Sequence, residues 1–107
     1  MLDDTIKLKI KNKIVQLFSL DDTVEVNIFS HLNKRYFNTY WITFVKDCKL
    51  VNSSIIFDKA KEVIDKIDGL CLIHYEDKSQ FDIFGIYADK IEDFLNQDIT
   101  ELTIKLF

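Results

Sequence analysis

Two apolar runs joined by a short polar tip constrain this chain more than any other stretch. Leu70–Tyr75 and residues 80–86 flank Glu76-Asp77-Lys78-Ser79. Runs of that length, rich in branched and aromatic residues and closed by a four-residue polar link, predict a β-hairpin. Pairing Tyr75 with Gln80 sets Leu72 opposite Ile83 and Leu70 opposite Gly85. Leu70, Leu72, Phe81 and Ile83 then share one face. Cys71, Ile73, Tyr75 and Phe84 fall on the other, beside Asp82. Apolar residues on both faces predict central strands covered on each side.

The hairpin leads into an acidic helix over residues 87–96, with Ile91, Phe94 and Leu95 inward and Asp89, Glu92 and Asp93 outward. Residues 101–107 alternate Leu102, Ile104 and Leu106 with Glu101, Thr103 and Lys105, the period of a half-buried strand. Ahead of the hairpin, Ile56, Ala60, Val63, Ile64 and Ile67 recur at helical spacing. Ser53 or Ser54 is available to cap that helix, and Gly69 to end it in a left-handed conformation.

The first half reads mainly as strand. Thr5-Ile6-Lys7-Leu8-Lys9-Ile10-Lys11 alternates without a break, which predicts a strand with a lysine face. A single helix over residues 3–19 through Ile6, Ile10, Ile14 and Leu17 is the competing reading. The tract Asp3-Asp4-Thr5-Ile6 recurs as Asp21-Asp22-Thr23-Val24, and both copies read as a turn entering a strand. Residues 30–35 read as a loop. Residues 36–45, YFNTYWITFV, read as an aromatic strand with Trp41 as its central packing residue. The expected fold is therefore a single α+β domain spanning residues 1–107. It holds a mainly antiparallel sheet and two helices in the order β-β-β-β-α-β-β-α-β, with the N-terminal segment as the alternative helix.

At 107 residues, with 48% hydrophobic content, the chain can fold around one core without a metal or disulfide. It has no apolar run of membrane-spanning length. Its opening Met1-Leu2-Asp3-Asp4 is acidic where a secretory leader is basic, so a cytoplasmic chain is expected. Cys48 and Cys71 are read as buried thiols rather than a disulfide. Thirteen of the fourteen basic residues are lysine and proline is absent, a composition typical of AT-rich bacterial or phage genomes.

Catalytic signatures are missing. Two histidines and two glycines leave no HExxH, no CxxC and no glycine-rich phosphate loop, so neither a cofactor, a metal nor enzymatic activity is expected. What remains is charge asymmetry. Residues 1–53 carry eight basic and six acidic side chains, and residues 54–107 carry six basic and twelve acidic. Carboxylates repel phosphate backbones, which disfavours nucleic acid, and attract basic protein surfaces. Glu76, Asp77, Asp82, Asp89, Glu92, Asp93, Asp98 and Glu101 are the candidate partner-binding residues. The function expected from them is that of a non-catalytic immunity- or antitoxin-type inhibitor that neutralises a basic toxin or nuclease domain. Two alternatives accompany it. One is a small acidic chaperone or adaptor that dimerises through residues 36–45. The other is a small-molecule-binding or enzymatic domain with a pocket lined by Tyr36, Tyr40, Trp41 and His74.

Overall fold

The structure, a computed structural model, describes residues 2–29, 38–75 and 81–107, with backbone only for Ser53 and for residues 73–75 and 81–83. The chain forms helix α1 (Asp4–Leu17), strands β1 (Val24–Phe29), β2 (Thr39–Lys46) and β3 (Lys49–Leu50), helix α2 (Ser53–Ile64), the hairpin β4 (Leu70–Tyr75) and β5 (Phe81–Tyr87), and helix α3 (Ile91–Asn96). A 3-10 turn, Ala88–Lys90, leads into α3, and another, Thr100–Leu102, follows it. The sheet is antiparallel throughout, ordered β1-β2-β5-β4, with β3 paired to β2. It is the α+β domain expected, with a third helix in place of the first two strands.

That helix is the alternative reading of the N-terminus. Ile10, Ile14 and Leu17 are fully buried along one stripe, and Asp3 caps the first turn by accepting from the Ile6 amide at 2.8 Å. The alternation that suggested a strand leaves a mark: Leu8, which a strand would bury, is 58% exposed. The two Asp-Asp-Thr tracts share a device and differ in outcome. Asp3 takes an amide three residues on and starts a helix. Asp21 takes the amide of Thr23 at 2.9 Å and leads into β1.

Three phenylalanines join the helical layer to the sheet. Phe18, just past α1, meets the rings of Phe44 on β2 and Phe84 on β5 edge-on, each at 5.6 Å between centroids, and Phe44 stacks on Phe84 at 6.1 Å. Around them the inner sheet face contributes Val26, Ile28, Tyr40, Ile42, Leu70 and Ile86. From the helices come Ile56, Ala60 and Ile64 of α2 and Phe94 of α3. Of the apolar face expected for α2, Ile56, Ala60 and Ile64 are buried and Val63 half-buried. The helix ends at Ile64, so Ile67 is buried in the turn beyond it and Gly69, at φ +93°, leads into β4 instead of ending the helix. The N-cap of α2 is Asn52 rather than either serine, because the Asn52 amide oxygen accepts from the Ser54 amide at 2.9 Å.

The hairpin register differs from the expected one by one residue. Leu70 pairs with Ile86, Leu72 with Phe84 and Cys71 with Gly85. A one-residue slip exchanges faces, and here it puts Phe84 and Ile86 toward the helices with Leu70 and Leu72. Gly85 permits the close approach of β2 to β5. A Cβ there would lie 2.6 Å from both the Thr39 methyl and the Tyr40 carbonyl, so β2 and β5 approach this closely only at a glycine. The hairpin is also not central as a unit: β5 lies between β2 and β4, and β4 is the last strand of the sheet.

Trp41 is not the centre of packing. It lies half-buried on the face opposite the main core, whose β2 contribution is Tyr40, Ile42 and Phe44. The C-terminal residues 103–107 form no strand. They run extended across the end of α1, where the Ile104 and Leu106 amides donate to the Leu17 and Phe18 carbonyls at 2.8 and 3.2 Å, and Leu106 is fully buried. The loop expected over residues 30–35 lies outside the described residues.

Candidate functional site

Five of the candidate acidic residues lie between positions 89 and 101. Asp89 sits on the 3-10 turn before α3, Glu92 and Asp93 in the first turn of α3, and Glu101 on the turn after it, all exposed. Carboxylates in a helix's first turn face the positive end of its dipole, which makes their placement favourable. Asp98 is exposed but structurally engaged. Its Oδ1 accepts from the Thr100 amide at 2.9 Å and the Thr100 hydroxyl at 2.6 Å, which holds its carboxyl below the usual carboxylate range. Asp82 belongs to β5, the strand that leads into that group, and pairs by backbone with His74. Glu76 and Asp77 lie outside the described residues.

A six-residue helix is too short to hold itself together in water, so its position depends on what grips it. Phe94 anchors it to the core with no exposed area. Lys13 of α1 reaches across to the end of α3, donating to the Leu95 carbonyl at 3.0 Å and to the Gln97 carbonyl, with its ammonium 5.4 Å from the Phe94 ring centre. Desolvation there lowers the Lys13 pKa, and the charge of Asp98 partly opposes that shift. Gln97 ties the helix to the α2–β4 turn, accepting from the Asp68 amide at 2.8 Å and donating to the Lys66 carbonyl at 3.0 Å. Neither Lys13 nor Gln97 was singled out from the sequence. The lysine was hidden among four at alternate positions, and a lone glutamine carries no pattern.

Beside this helix runs a groove of about 760 Å³ between α1 and α3. Ile6, Ile91, Leu95 and Ile99 provide its apolar surface, Lys9 and Lys13 one wall, and Glu92 and Asp98 the other. The pocket anticipated at Trp41 does not take the expected form. Tyr40 is buried on the helical side of the sheet while Trp41 lies on the opposite side, so the two cannot line one cavity. Tyr36 lies outside the described residues, and of His74 only the backbone is described.

The two cysteines differ in reactivity. Burial raises the Cys71 thiol pKa to about 11, against weaker opposing hydrogen bonds to Thr39, Tyr87 and Gly85, so it stays protonated at neutral pH and is a poor nucleophile. Cys48, expected to be buried, is instead an exposed free thiol, because it falls in the two-residue β2–β3 turn, where both Asp47 and Cys48 take positive φ. Among the described residues, no group of three or more His, Cys, Asp or Glu side chains is placed to hold a metal ion, and no helix is long and apolar enough to cross a membrane. No protein-family model matches the chain, and neither does any curated protein or solved structure.

Proposed function

We propose that this protein is a non-catalytic binding module that docks a basic partner through the acidic surface around α3, and that the partner is a toxin or nuclease domain which it inhibits. The observation that carries the reading is the contrast between the two sides of α3. Its inner side is pinned by Phe94, Lys13 and Gln97, while Asp89, Glu92 and Asp93 are exposed beside it. A rigidly held set of carboxylates loses little freedom on binding, which favours affinity, and its field speeds encounter with a cationic surface. An enzyme that grips phosphate presents such a surface, and carboxylates can occupy the places of the phosphates.

The test is co-purification with the product of the adjacent gene, followed by affinity measurements at low and high salt. The reading predicts a saturable complex whose affinity falls steeply as salt rises, because exposed charges are screened over about 10 Å at 0.1 M salt. An affinity indifferent to salt would remove the acidic surface as the docking element.

A further inference from the structure

We propose that β4 is a self-association edge, through which two copies of this chain join their sheets into one continuous antiparallel sheet. β4 is the terminal strand, and among the described residues nothing pairs with its outer side. The hydrogen bonds of the hairpin show which groups point there. The Tyr87 amide donates to the Gly69 carbonyl at 2.8 Å, so residues 69 and 87 form a hydrogen-bonded pair. Pairs alternate along an antiparallel ladder, so Cys71 and Ile73 also bond to β5. The amides and carbonyls of Leu70, Leu72 and His74 therefore face outward.

Edges are normally protected by charge, proline, a bulge or brevity. β4 has six residues, Leu-Cys-Leu-Ile-His-Tyr, with no lysine, no acid and no proline. The opposite edge is different: β1 carries an exposed glutamate, Glu25. Of the two ends of the sheet, β4 is the one built to be covered.

A second copy is the occupant that the strand itself specifies. Two antiparallel β4 strands related by a two-fold axis at Leu72 place Leu70 opposite His74 of the second copy and Leu72 opposite its own equivalent. This register uses every outward amide and carbonyl of the strand, in an isologous contact. Charge on the neighbouring helix agrees with it. Lys61 of α2 and Asp65, the residue that caps its C-terminal end, line the cleft beside β4 together with Leu72. The same axis sets α2 of the two copies antiparallel, bringing Lys61 of one toward Asp65 of the other. This contact is separate from the acidic surface around α3.

Sedimentation equilibrium across a concentration series, with amide exchange at its two ends, tests the proposal. The expected mass at high concentration is twice the 12.7 kDa of the chain. There the Leu70, Leu72 and His74 amides should be as protected as those of Cys71 and Ile73, and on dilution should lose roughly tenfold or more of that protection. Leu72→Lys should give a monomer with unchanged circular dichroism. If that variant does not fold, the wild-type exchange pattern decides alone. A monomer at every concentration, or a dimer in which the Leu72 amide exchanges freely, overturns the proposal.

Discussion

Lys13 and Leu95, 82 residues apart in sequence, meet where the ammonium of one donates to the carbonyl of the other at 3.0 Å. A cation from α1 thus satisfies carbonyls that the end of α3 leaves without helical partners. Two effects oppose each other in Lys13→Met. The charged hydrogen bonds are worth about 1.5–3 kcal/mol, but the lowered pKa shows that the cation is held against a desolvation cost. Methionine also keeps an apolar stem against Phe94. The expected loss is therefore about 1 kcal/mol, measured by urea unfolding. Faster amide exchange at Leu95, Asn96 and Gln97 than in the rest of the domain should accompany it.

Gly69 lies where the Ala88–Lys90 turn and α3 close against the start of β4. Its φ is +93°, and a Cβ there would lie 2.9 Å from the Lys90 carbonyl and 3.0 Å from the Phe94 Cβ. Gly69→Ala should cost about 1–3 kcal/mol from backbone strain and contact together, seen as a lower melting temperature. The loss should exceed that of an alanine at exposed Asp68, which is the control.

The two thiols should behave oppositely. Cys48 is exposed and should react with a thiol reagent in the folded protein, while Cys71 should react only on unfolding. The pH dependence follows from the raised pKa. Above the ordinary thiol value of 9.0 the unfolded chain loses this proton while the folded chain keeps it up to about 11. Cys71 therefore contributes a stability that is complete below pH 9 and is lost as pH rises through 11. The two-unit gap corresponds to about 2–3 kcal/mol at most. Cys71→Ala should flatten the alkaline limb of the stability profile, read from denaturant midpoints at pH 8, 9, 10 and 11.

Where the sequence misled, particular residues show why. In the N-terminal tract both periods were present. Ile6 and Ile10 fit strand and helix alike, and only the fate of Leu8 separates them: the helix exposes it and gains Ile14, Leu17 and Phe18 in the core. Local pattern could not weigh that exchange, because the gain depends on Phe44 and Phe84 from distant strands. The hairpin was legible as a hairpin, but the pairing of Cys71 with Gly85 was not, and neither was the close approach of Thr39 and Tyr40 from a third strand, which requires the glycine there. The alternation of Leu102, Ile104 and Leu106 marked a chain buried on one side, and Leu106 is buried as expected. Its hydrogen bonds run to the end of a helix instead of to a strand. Of the candidate acidic residues, Asp89, Glu92 and Asp93 were readable from helical spacing. The engagement of Asp98 with Thr100 was not, since an Asp-x-Thr turn is indistinguishable from an exposed acid until the backbone bends.

Charge reversal on α3 bears most directly on the proposed binding surface. Asp89, Glu92 and Asp93 are exposed, so Asp89→Lys, Glu92→Lys and Asp93→Lys combined should preserve the fold, checked by an unchanged circular dichroism spectrum, with a modestly lowered melting temperature because lysines replace carboxylates at the positive end of α3. Calorimetric titration against the product of the adjacent gene at low salt should then show affinity falling by roughly a hundredfold or more, as expected when a steering patch is inverted and like charges meet. A triple variant that binds as tightly as the wild type, with the same salt dependence, would contradict the account.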